Sequence, residues 1–153
     1  MKKKILPYIV CLCLGFPLFA EKPSKEKEAE NAKLNMHLFR SNYESSHEFL
    51  KGYLNTGNLE SGELEALYST FKAYSVHPYI PEAAGIPKEF LAKTAEYLRV
   101  LTQMMYEIER AEETKDYSYP RYIAAKKKLK PTLEEFKKYF DNPPKLKGPK
   151  KRN

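Results

Sequence analysis

Between Phe90 and Ala111 the residues Phe90, Leu91, Thr94, Tyr97, Leu98, Leu101, Met104, Met105, Ile108 and Ala111 recur at steps of one and three, with no glycine or proline in the segment. Such spacing places one apolar stripe along a single helix face for about six or seven turns. A helix that long and one-sided needs other helices to cover it. Three further stretches supply them. Ala32, Met36, Phe39, Tyr43, Leu50 and Tyr53 form a stripe within 29–54, and Asn55-Thr56-Gly57-Asn58 reads as a stop followed by a candidate N-cap at Asn58. Leu64, Leu67, Tyr68, Phe71 and Tyr74 form the next, which fails at Val76-His77-Pro78. Ser118 and Pro120 open the last, with Tyr122, Ala125, Leu129, Leu133, Phe136 and Phe140 on one face. Pro131 lies inside it, and a proline there removes a hydrogen bond and clashes with the preceding turn, so a kink or break is expected near Lys130.

No alternating run of β-branched residues occurs, so the fold class is all-α. Short loops at 55–58 and 116–119 make neighbouring helices antiparallel. An up-down-up-down four-helix bundle follows, with the proline-rich connection 76–87 capping the end where the first helix starts and the fourth finishes. Glu109, Glu112, Glu113 and Asp116 crowd the end of the third helix, and Arg121, Lys126, Lys127 and Lys128 the start of the fourth. Each set has the wrong sign for its own helix dipole. An antiparallel hairpin sets them side by side, where they offset one another.

Around this domain, expected at 29–141, lie three segments of different character. Lys2, Lys3 and Lys4 precede an apolar run from Ile5 to Phe19 and a small residue, Ala20. That is the layout of a secretory signal peptide cleaved after Ala20, and it is short of the roughly 20 apolar residues a membrane span needs. Cys11 and Cys13, the two cysteines of the chain, fall inside it and would leave with it, taking thiol and thiolate-metal chemistry with them. The expected location is therefore periplasmic or secreted, with no transmembrane segment after cleavage. Residues 21–28 read as a charged, flexible lead. Residues 142–153 carry five positive and no negative charges among prolines and a glycine, and read as a disordered tail. Residues 21–119 carry a net −5 and residues 120–153 a net +9, so the basic character belongs to the last quarter.

Searches for catalytic chemistry return little. There is no HExxH, CxxCH, GxSxG or glycine-rich phosphate loop. We expect no enzyme and no cofactor. His37, Glu44 and Glu48 fall within about 40° on the first helix and are weak metal candidates, the solvated flank being the simpler reading. Tyr43, Tyr53, Tyr68, Tyr97 and Tyr122 sit on apolar stripes, where the ring packs and the hydroxyl reaches the rim. Tyr79, Tyr117 and Tyr119 fall in expected loops and are candidates for partner binding, as are Lys145, Lys147, Lys150, Lys151 and Arg152 of the tail. The tail serves either solubility or contact with an anionic surface. Nucleic acid is not expected as a partner of an exported chain.

The reading that results is an exported, non-enzymatic helical bundle acting through protein or envelope-surface contacts. The alternatives are a small-ligand or metal carrier using the bundle interior or the His37 face, and a holdase-type chaperone.

Overall fold

The computed structural model describes residues 25–77, 81 and 84–143. Among these there are four helices and no strand: α1 (Lys25–Thr56), α2 (Ser61–Val76), α3 (Lys88–Thr114) and α4 (Pro120–Asp141). They alternate in direction and pack as a four-helix bundle. The segments 1–24 and 144–153, with Tyr79, Cys11, Cys13 and the basic tail residues, lie outside the described residues.

The core is built from the stripes. Leu50 and Leu54 of α1, Leu64 and Phe71 of α2, Phe90, Leu91, Leu98 and Leu101 of α3, and Phe136 and Phe140 of α4 are all buried. Each such side chain contributes about 1.5–3 kcal/mol by leaving water. Closest of all is the approach of α2 to α3, with α4 next and α1 farthest. Ala95 and Thr102 lie seven residues apart on the side of α3 from which Tyr106 and Glu109 reach α2, and their small size lets the two backbones come together. Aromatic rings hold α1 instead. Phe39 meets Tyr74 edge-on at 5.1 Å between centroids, Tyr43 meets Phe71 at 6.4 Å, and His47 stacks on Phe140 at 4.4 Å. Rings that size keep helix axes apart.

Helix ends are sealed from elsewhere in the chain. The N-cap of α2 is Glu60, not Asn58, and its own side chain caps nothing. The Glu109 carboxylate of α3 takes that place, accepting from the Ser61 backbone N–H at 2.8 Å and from the Ser61 hydroxyl. Negative charge at a helix N-terminus is favoured by the free N–H groups and the dipole. The Tyr53 hydroxyl bridges the same turn, accepting from Glu60 N and donating to Glu60 O. At the other end of the bundle Pro81 and Ile86 are buried, and Ile86 N donates to the Pro81 carbonyl at 2.8 Å, so this connection caps the core. Lys115 ends α3 in the left-handed region at φ 57°.

Three expectations need correction. Ala32 and Met36 are exposed, because α1 outruns the bundle: Phe39 already meets His77 just past the end of α2, and residues 25–38 are all exposed. At about 1.5 Å per residue that overhang is roughly 21 Å long. Of the kink or break expected near Lys130, the break does not occur, since α4 runs through Pro131; packing of Leu129, Leu133 and Phe136 against the core holds the helix across the missing bond. The charge offset between α3 and α4 is carried by a different glutamate, since Arg121 faces Glu107 at 3.7 Å while Glu109 turns to α2.

Candidate interaction surfaces

Near the start of α4 the stripe position 125 holds alanine where later ones hold leucine and phenylalanine, and its exposed neighbour Ala124 is equally small. Ala124 and Ala125 therefore leave a gap against α3. The result is a groove of about 520 Å³ between the two helices, floored by Val100, Met104 and Ala125 and edged by Glu107, Arg121 and Lys128. Glu107 is the polar centre of this groove. Its backbone carbonyl accepts the hydroxyl of Tyr119 and its Oε1 faces Arg121, while Oε2 is buried and lacks a hydrogen-bond partner among the described residues. A buried carboxylate oxygen with nothing to accept from costs free energy unless a donor arrives. Tyr106 stands at the rim, with its hydroxyl donated to Glu65 of α2 at 2.6 Å.

The loop tyrosines divide. Tyr117 is 47% exposed and packs edge-on to Tyr122 at 5.5 Å, leaving one face free. Tyr119 is not a free recognition residue. It is half-buried, its hydroxyl is engaged by Glu107, and Arg110 lies over its ring at 5.7 Å. Burial and the Glu107 contact push its pKa up. It pins the α3–α4 turn.

His37 and Glu44 do line one shallow depression on α1, together with Arg40 and Ser41. Arg40 Nε donates to Glu44 Oε1 at 2.8 Å, so a guanidinium occupies the place a divalent cation would need. Glu48 sits 3.7 Å from His47. Among the described residues no three histidine, cysteine or acidic groups converge.

The groove was missed in the sequence. The signal for it was there: an Ala-Ala pair opposite Met104, at the level where a filled bundle carries large residues. The glutamate that caps α2 had no such signal, because Glu109 and Glu107 are alike in sequence and differ only in which neighbour they face.

No protein-family model, curated protein or solved structure matches this chain. Fold and surfaces define it as an all-α four-helix bundle with an open, charged-rim groove between its last two helices. No helix among the described residues is long and apolar enough to cross a membrane.

Proposed function

We propose that this chain is an exported, non-enzymatic bundle protein that acts by binding another protein in the α3–α4 groove. The observation that carries this reading is the groove itself: an apolar floor with two cations, Arg121 and Lys128, and the Glu107 carboxylate along its edge. That combination suits a short amphipathic segment that lays its apolar face on Val100 and Met104. Its acidic groups would meet Arg121 and Lys128, and a hydroxyl or amide would meet Glu107. Export rests on the basic-apolar-small layout of residues 2–20. The basic tail would add longer-range attraction to an anionic partner or envelope surface, weakened by salt as the Debye length shrinks from about 10 Å at 0.1 M to about 3 Å at 1 M.

The test is capture of partners from the envelope fraction by the wild type, by Ala124→Arg and by a chain lacking residues 142–153. Ala124 is exposed, so the arginine fills the groove without entering the core. Proteins lost with Ala124→Arg but kept by the tail truncation support the reading. Identical capture by all three contradicts it, and a mature N-terminus other than Glu21 contradicts the export half. A small-ligand carrier is a second reading favoured by the same groove, whose volume lies within the usual range for small molecules. It differs in predicting thermal stabilisation by a low-molecular-weight extract.

A further inference from the structure

Opposite the aromatic side of α1 runs a second, outward-facing stripe, tied to the core side through Phe49, whose ring stacks on Tyr53 at 6.1 Å between centroids. Leu34, Leu38, Ser41, Ser45, Phe49 and Gly52 follow one another at steps of four and three, so they lie within about 50° of a single line on the helix surface. All six are exposed, with Leu34 at 54%, Leu38 at 50% and Phe49 at 53%. None is charged, in a chain of which 31% is charged. The line starts in the overhang and continues along the part of α1 that the bundle supports.

Gly52 adds an independent clue. A glycine inside a helix costs about 1 kcal/mol relative to alanine. A Cβ built at Gly52 would meet nothing within 4 Å, so packing within the chain does not call for the missing side chain. The space it leaves opens outward on the uncharged stripe. Nor is the overhang self-sufficient, since an isolated helix of about 14 residues is marginal in water.

We infer that this stripe is where a second copy of the chain docks, α1 against α1 and antiparallel, about a two-fold axis near Tyr43. With that axis Leu34 of each copy fills the space over Gly52 of the other. Ser41 and Ser45 cross at the centre, where their small size allows close approach, and Leu38 lies beside Phe49. Glu48 comes level with His37 of the partner at the edge. A parallel pairing would set Phe49 against Phe49 and Gly52 against Gly52, crowding one level and leaving the next empty. The stripe is also self-complementary, as a two-fold contact requires, because each pairing of residue i with j is repeated as j with i. Overlap of roughly 40 Å by about 12 Å buries on the order of 500 Å² per copy, near the lower limit for a specific interface. An interface of that size is that of a weak, reversible dimer.

Sedimentation equilibrium from about 1 to about 500 μM tests this, a span that brackets micromolar association. The wild type is expected to pass from monomer to dimer across it. Gly52→Leu and Leu38→Glu should each weaken association by tenfold or more while leaving the circular dichroism and melting point of the dilute protein unchanged or, for Gly52→Leu, slightly raised. Orientation is read by disulfide formation in the chain that starts at Glu21, which has no cysteine of its own. A mixture of Leu34→Cys and Gly52→Cys should cross-link as the heterodimer, and Leu34→Cys alone should not. A wild type that stays monomeric throughout, a dimer indifferent to both stripe variants, or self-cross-linking of Leu34→Cys overturns the inference. None of these outcomes touches the α3–α4 groove, so the two proposals stand or fall separately.

Discussion

α2 and α3 are joined in one way and α1 is attached in another. Between α2 and α3 the contact is made by small residues and leucines, the backbones are close, and Glu109 ties the start of one helix to the flank of the other. Along α1 the contact is made by rings at 4.4–6.4 Å together with Leu50 and Leu54, and the fourteen residues before Phe39 are all exposed. Close interdigitation excludes voids and makes each buried atom count. Ring-to-ring contact fills space with fewer, larger pieces and leaves the outer half of the helix unused. A central pair plus α4 can therefore carry stability, while a long outer helix is available for other work.

The sharpest contrast between the two regions is a truncation in each. Leu101→Ala removes a fully buried side chain from α3 and should lower stability by about 2–5 kcal/mol in chemical denaturation. Met36→Ala in the overhang should change it by less than about 0.5 kcal/mol. Comparable losses would mean that α1 is as deeply integrated as α3.

Pro131→Ala tests the helix that completes the stable part. Pro131 is exposed, so the alanine displaces no core atoms and restores the hydrogen bond to the Lys127 carbonyl. A gain of about 1–3 kcal/mol is expected, less than the full proline penalty because the unfolded chain also becomes freer. A loss would mean that the ring itself packs.

Thr94→Val probes α3 at one atom. Thr94 is fully buried and its hydroxyl has no hydrogen-bond partner among the described residues, so the near-isosteric valine should raise stability by about 1 kcal/mol. A lower melting point would reveal an internal water holding that hydroxyl.

Tyrosine titration separates the regions by pH. Burial drives Tyr43 and Tyr53 of α1 up to about 12, and the Glu135 hydrogen bond does the same for Tyr97 of α3. A raised tyrosine pKa means the folded state holds its proton more tightly. This contribution to stability is complete below about pH 10 and is lost as pH rises from 10 towards 12. Absorbance at alkaline pH should show these three ionising last and together with loss of helix. His47 works at the other end. Burial lowers its pKa despite Glu48 and Asp141 and with help from Lys51, so its contribution is full above about 6.5 and fades as pH falls below that. His47→Phe should flatten that acid limb.

Most of the bundle was legible because its cause is periodic. Leu64, Leu98 and Phe136 are apolar at helical spacing, and nothing but burial explains them. Ala32 and Met36 continued the α1 pattern just as well, yet nothing local records that α2 is half the length of α1 and leaves them uncovered. Pro131 announced a kink or a break by its own geometry, and packing on both sides of it kept the helix continuous. The groove depended on two alanines being small at one particular level, which a stripe of apolar letters does not distinguish from a filled one. Tyr119 and Glu109 were decided by which helix stood opposite, a fact of assembly rather than of sequence.

The most direct test of the division is native-state hydrogen exchange, resolved by residue, at a concentration low enough to keep the chain monomeric. Amides of 64–74 and 91–111 should exchange only through global unfolding, residues 39–54 at an intermediate free energy, and residues 27–38 close to the unprotected rate. Uniform protection along α1, equal to that of α3, would contradict the account.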